Sequence, residues 1–181
     1  MKKILVLAVL ALGLSVSSSK AQEGRFYIGT AGLSLFSNDD VKLMTGVMSG
    51  DKTSWGLAPE FGYYIKDNVS FGLSIGYTKY SQKGYQDIKM FGVYPYVRYF
   101  AYQAERLSVF IEGGLEYLSI EDGVNEMTIG AGPGISYKLS DNFSLNVKYG
   151  FVGYQKIKDQ KGAVIIGLDA SELEFGLNFT F

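Results

Sequence analysis

Cysteine and histidine are both absent from the sequence, and proline occurs only three times. Without cysteine there is no disulfide, thiolate zinc site, iron–sulfur cluster or thiol nucleophile. Without histidine the commonest general base and the commonest metal ligand are both missing. Charge is sparse as well: 19% of residues are Asp, Glu, Lys or Arg, below the usual ~25%. The 17 basic and 18 acidic residues nearly cancel, leaving a net of −1, so the basic footprint of a nucleic-acid binder is lacking. Past residue 21 no apolar run approaches the ~20 residues of a membrane helix. What is abundant is glycine, 23 of 181 residues, and aromatics, at 15%. The length suits one domain, and the composition suggests many strands and not disorder.

The first 21 residues read as an export signal. Lys2 and Lys3 make a short positive segment, residues 4–14 are an unbroken apolar or glycine run, and a polar stretch ends Ser19-Lys20-Ala21. Small residues at the last and third-last positions fit cleavage before Gln22. The rival reading is an uncleaved anchor, for which the run is short. With no cysteine after the run, lipid attachment there is excluded. The expected mature domain is 22–181. It loses Lys2, Lys3 and Lys20, so 14 basic residues face 18 acidic ones, a net of −4.

Parity is the main signal beyond that point. Apolar residues fall on odd numbers in seven runs: 55–65, 69–77, 91–99, 107–117, 127–139, 143–151 and 173–181. None of those odd positions is charged. A period of two means strands, with this set on one face. The even positions between them are small or polar, and eleven are glycine. A first strand within 25–36 is less clean: Phe26 and Ile28 are even, while Tyr27, Gly29, Ala31, Leu33 and Leu35 continue the odd face. With it the count is eight antiparallel strands. Connections alternate between short turns, at 66–68, 101–106 and 140–142, and longer loops, at 37–53, 79–89, 119–126 and 154–171. That alternation fits periplasmic turns and extracellular loops. Val164, Ile166 and Leu168 carry apolar residues on even numbers, so either the hairpin extends past the membrane or a bulge shifts its register.

A soluble lipocalin-like barrel alternates in the same way. Eight strands leave an interior just wide enough for side chains, and the large odd-numbered residues would crowd it. Turned outward they meet lipid, while the glycine-rich face fits the narrow lumen. The expected fold is therefore all-β: an eight-stranded antiparallel up-and-down transmembrane β-barrel preceded by a cleaved signal peptide. Such a barrel pairs every backbone group with a neighbouring strand. Outward aromatics gather at strand ends: Trp55, Tyr77, Tyr117 and Phe151 toward the long loops, and Tyr63, Tyr99, Tyr137, Phe143, Phe179 and Phe181 toward the short turns. From Trp55 to Tyr63 a tilted strand rises roughly 20 Å, close to the apolar band between two aromatic girdles.

The last strand, Leu173-Glu-Phe175-Gly-Leu177-Asn-Phe179-Thr-Phe181, alternates and closes on a terminal Phe. Phe175, Leu177, Phe179 and Phe181 thereby resemble the signal read by the outer-membrane barrel assembly machinery. With the export signal and the segment Pro95-Tyr-Val-Arg98-Tyr-Phe100, the chain resembles the outer membrane protein β-barrel domain family, whose small members include the OmpX, OmpA membrane-domain and opacity-type barrels. The resemblance implies a Gram-negative outer-membrane location, contact with lipid and lipopolysaccharide, the assembly machinery as a partner in biogenesis, a monomer, and no cofactor.

Candidate chemistry is confined to seven charges on the even face: Glu60, Arg98, Glu112, Glu116, Lys138, Lys148 and Glu174. Counting along the strands puts Glu60, Glu112, Lys148 and Glu174 at similar depth, with Arg98 and Lys138 nearer the periplasmic end. A buried network must be paired or watered, so the expected role is a salt-bridge plug. A polar path for small solutes or a proton-linked gate is the alternative. Gly130-Ala-Gly132-Pro-Gly134 is not a phosphate loop, since no Lys-Ser/Thr follows. Asp39-Asp40 and Glu121-Asp122 are read as solvated loop acids, with divalent ions bridging lipopolysaccharide as the alternative. No catalytic, cofactor or metal residue is marked. Three functions remain: a structural or surface-interaction barrel, a conduit for small hydrophobic or polar solutes as in the OmpW-like branch, and a lipid-modifying enzyme. The lipid A acyltransferases and deacylases that resemble this barrel rely on a histidine-containing site, and the sequence has no histidine.

Overall fold

The computed structural model describes residues 24–30, 33–34, 47–49, 52–82, 87–121, 123, 125–168 and 173–181. The expected export signal and Asp39, Asp40 and Asp122 lie outside them. The elements are β1 (Phe26–Thr30), β2 (Leu33–Ser34), β3 (Val47–Ser49), β4 (Lys52–Leu57), β5 (Pro59–Lys66), β6 (Val69–Gln82), β7 (Ile88–Gln103), β8 (Leu107–Ile120), β9 (Asn125–Lys138), β10 (Phe143–Tyr149), β11 (Phe151–Ile157), β12 (Ala163–Gly167) and β13 (Leu173–Thr180). All pairings are antiparallel.

Thirteen segments make eight staves. β1 and β2 both pair with β13, β4 and β5 with β6, and β10 and β11 with β9. β12 continues the stave of β13 by pairing with β11, and β3 is a hairpin partner of β4. The ring closes between β1 and β13, where Phe26 and Phe181 exchange both backbone hydrogen bonds, at 3.2 and 2.9 Å. The result is the expected closed eight-stranded barrel. Its outer wall is apolar and exposed, with Phe61, Phe71, Phe91, Ile111, Ile129 and Ile135 all about half accessible. An apolar surface of that extent belongs in lipid and not in water.

Four sequence expectations change. On β1 the faces are reversed: Tyr27 is buried, while Phe26 is exposed and directly opposite Tyr63. Tyr27 pairs with Thr180, but Ser34 pairs with Glu174, so the register moves by one residue between β1 and β2. That shift sets Leu33 opposite Phe175.

The second change is at Gly150, the bulge between β10 and β11. Lys148 pairs with Gly134, but Val152 pairs with Ala131, so the bulged stave holds one extra residue. Gly150 takes φ 78°, the left-handed region that glycine occupies without strain. Beyond it the faces exchange. Phe151 turns into the lumen and leaves the loop-side girdle, while Val152, Tyr154, Val164, Ile166 and Leu168 face outward. This is the bulge that the even-numbered apolar residues of β12 required. A side chain at Gly150 would meet Leu168 Cδ2 at 3.1 Å and the Gly167 carbonyl at 3.2 Å. With about 1–2 kcal/mol for a left-handed non-glycine residue, Gly150→Val is expected to lower the urea midpoint of the refolded barrel. An unchanged midpoint would show that the bulge is not required.

Third, the strands outlast the expected connections. β6 reaches Gln82 and β8 reaches Ile120, β3 lies inside 37–53, and a β11–β12 hairpin occupies much of 154–171. At the β6–β7 rim Lys79 stands directly opposite Lys89. Like charges so placed repel, and each is offset by its own acid: Asp87 at 2.6 Å from Lys79 and Glu121 at 2.8 Å from Lys89. The hydrogen bond that Lys89 donates to the Glu121 carboxylate holds its ammonium above the ordinary pKa. Fourth, Arg98 joins the central charges and Lys138 does not, as the lumen geometry makes plain.

Candidate functional site: the lumen

Cross-strand register assembles the lumen. Arg98 is directly opposite Glu112 on β7 and β8, and Lys148 is directly opposite Glu174 on β10 and β13. These two pairs then meet across the barrel. Arg98 donates to Glu112 Oε2 through Nε at 2.9 Å and through its terminal nitrogen at 2.5 Å, and lies 3.8 Å from Glu60 Oε2. Lys148 Nζ reaches Glu112 Oε1 at 3.0 Å and Glu174 Oε2 at 2.8 Å. Glu112 therefore holds a cation on each oxygen. Arg98, Glu60 and Glu112 are 2–3% exposed, so three charges are withdrawn from water and each has a partner, as buried ions require.

The second layer is aromatic. Tyr27, Gly62, Gly72 and Tyr96 occupy one row across β1, β5, β6 and β7. The two phenols lie over the two glycines, and their hydroxyls meet at 3.0 Å. Tyr96 donates onward to Glu60 Oε2 at 2.9 Å. The Arg98 guanidinium sits over three rings, those of Phe110 at 4.6 Å, Tyr96 at 5.2 Å and Tyr27 at 5.9 Å, an arrangement that favours a desolvated cation. Toward the short turns Tyr64, Phe100 and Phe110 are buried against one another, with ring centroids 5.9 and 5.6 Å apart. Above the charges, toward the long loops, is a cavity of about 480 Å³ walled by Tyr94, Glu112, Glu116, Glu126, Lys148, Phe151 and Glu174.

The seven charges expected in the lumen thus divide. Glu60, Arg98, Glu112, Lys148 and Glu174 form one connected network. Glu116 stands on the cavity wall above it. Lys138, at the short-turn end of β9, forms no ion pair with any described residue. Arg98 is expected nearer the turns, but β7 runs on to Gln103, which leaves Arg98 directly opposite Glu112. Sequence reading missed Glu126, placed in a loop, and Gln155, which donates to Glu126 Oε1 at 2.6 Å. It also missed the aromatic layer, whose only signal was large residues (Tyr64, Tyr94, Tyr96, Phe110) on an otherwise small face.

On the outer face the short-turn end carries an aromatic cluster. Phe143 and Phe179 rings lie 4.9 Å apart, Phe179 and Phe181 6.1 Å, Phe26 and Phe181 6.4 Å, and Phe26 and Tyr63 4.8 Å. Tyr99 and Tyr137 are exposed near the same end, and Tyr117 is exposed toward the loops with Tyr77 partly so. The side chain of Trp55 lies outside the described residues.

Comparison with known proteins places this architecture. No curated protein matches the chain. Among solved structures the outer membrane protein OprG of Pseudomonas aeruginosa is 13% identical, over 89% of this chain and 97% of its own, with a TM-score of 0.45. The outer membrane protein W of E. coli is 15% identical over 88% and 99%, TM-score 0.49. The outer membrane protein Ail of Yersinia pestis is 15% identical over 88% and 100%, TM-score 0.48. The family model of the outer membrane protein beta-barrel domain matches residues 5–181. The chain is accordingly a Gram-negative outer-membrane barrel and belongs to the outer membrane protein beta-barrel domain family.

Proposed function

We propose that this protein is a structural and surface-interaction barrel whose lumen is sealed and whose loops face the exterior. The observation that carries the reading is the burial of Arg98 between Glu60, Glu112 and three aromatic rings. A solute passing this level has to break buried, doubly held ion pairs, and the rings of Tyr64, Phe100 and Phe110 fill the next level. In planar bilayers the refolded protein is expected to give no steady conductance. A large and stable conductance step overturns the proposal.

The outward positions of Phe175, Leu177, Phe179 and Phe181 suit recognition of the last strand by the assembly machinery, and the apolar wall suits lipid and lipopolysaccharide. Residues 1–21 are taken as the export signal that delivers the chain, and 22–181 as the mature barrel. The barrel acts as a monomer without a cofactor. The ring closes on itself, so no strand edge is left to recruit a second copy through β1 or β13. One observation favours a conduit instead: the 480 Å³ cavity on the loop side. Liposome swelling with small sugars separates the two readings, since a sealed barrel gives no swelling above protein-free vesicles.

A further inference from the structure

The cavity holds more acid than base. Its walls carry Glu112, Glu116, Glu126 and Glu174 against a single cation among the described residues, Lys148. Lys148 is committed to Glu112 and Glu174, and Glu112 is held a second time by Arg98. Two carboxylates are left over. Glu116 has no ion pair or hydrogen bond with any described residue, though it feels the charges of Glu126, Glu174 and, less strongly, Lys148. Among the described residues Glu126 accepts only from neutral donors, Gln155 at 2.6 Å and Thr128 at 3.3 Å. Glu116 is opposite Thr128, and Glu126 is opposite Leu118, so the two acids are diagonal neighbours on adjacent strands, about 7–8 Å apart at the backbone.

Lys148 shows how these walls treat an alkylammonium. Its Nζ lies between two carboxylates, 5.9 Å from the centre of the Tyr94 ring. Carboxylates plus an aromatic face are the usual surroundings of a bound ammonium. The walls near Glu116 and Glu126 repeat the chemistry without the cation, with Phe151, Leu118 and Ile165 as the apolar part. A metal ion is a poorer occupant. Among the described residues no three acids are grouped so as to share one, whereas an extended chain with a charge at each end meets separated acids in turn.

We propose that the cavity binds linear alkyl di- or polyamines, one ammonium at Glu116, the methylenes along Leu118 and Phe151, and the other ammonium at Glu126. The inference rests on the lumen being closed below Glu112. The bilayer recording tests that closure separately, so a silent barrel that ignores diamines overturns this proposal alone.

The test is calorimetric titration of the refolded barrel in zwitterionic micelles at low ionic strength, with 1,5-diaminopentane as probe. Saturable one-to-one binding is expected, with n-pentylamine about tenfold weaker for want of a second charge-assisted contact. 1-Pentanol is expected not to bind, and magnesium chloride to weaken the diamine no more than sodium chloride of equal ionic strength. The variant Glu116→Gln/Glu126→Gln should lose about tenfold or more in affinity, while its mobility on electrophoresis before and after boiling stays that of the folded barrel. Absence of saturable heat, unchanged affinity in the double variant, or direct competition by magnesium each overturns the proposal.

Discussion

Replacing Arg98 by Met is expected to cost the barrel about 3–5 kcal/mol, the usual penalty for removing one partner of a buried ion pair. Arg98 and both its acids are almost wholly withdrawn from solvent. Without the guanidinium, among the described residues Glu60 keeps the Tyr96 hydroxyl alone and Glu112 keeps Lys148 alone. Lys148→Met should cost less. Glu112 still holds Arg98, and the side chain of Glu174 is 41% exposed and can be hydrated. The ranking is therefore Arg98→Met well below Lys148→Met, with both below the parent. Urea unfolding in lipid vesicles, followed by the folded and unfolded bands on electrophoresis, reads it directly. The triple variant Arg98→Met/Glu60→Met/Glu112→Met adds a discriminating arm. Replacing a whole buried charge group by apolar residues of similar size is often neutral or stabilising, so it should recover most of the loss. Equal midpoints for the parent and Arg98→Met would show that the network carries no stability.

That network was half visible in the sequence, and the reason is geometric. Alternation within a strand says which face a side chain takes, so Glu60, Arg98, Glu112, Lys148 and Glu174 were assignable to the lumen from parity alone. Which of them touch depends on tilt and register summed around eight strands, and no single strand records that. Arg98, counted as nearer the turns, is the centre of the group, while Lys138 stays apart. Single residues that shift the register defeat parity too. Gly150 carries Phe151 inward and sends Val152 and Tyr154 out, and the shift between β1 and β2 buries Tyr27 where the odd face was expected to meet lipid. The glycines were legible as lumen residues, but their function was not, because the ring each one accommodates stands on a neighbouring strand.

Gly72 shows that function and yields the second large effect. Glycine weakens a strand, and Gly→Ala at an unencumbered position should gain about 0.5–1 kcal/mol. Gly76 is such a position: a methyl group there meets nothing closer than the Ala58 Cβ at 3.8 Å. At Gly72 the same methyl would fall 2.3 Å from Tyr96 Cζ and 2.7 Å from its Cε2. The ring cannot tip away freely, because its hydroxyl is held by Tyr27 and by Glu60 and its face carries Arg98. Gly72→Val is therefore expected to destabilise by about 2.5–6 kcal/mol, combining overpacking of about 1–3 with the lost hydrogen bond to a carboxylate of about 1.5–3. Gly72→Ala should fall on the same side of zero, while Gly76→Ala should be neutral or stabilising, so the sign separates a packing role from strand propensity. A double-mutant cycle makes the partner explicit. In a Tyr96→Ala background the clash is gone, and Gly72→Ala should cost little or turn favourable, a coupling of at least about 1 kcal/mol. Additive effects of Gly72→Ala and Tyr96→Ala would mean that the ring does not rest on this glycine.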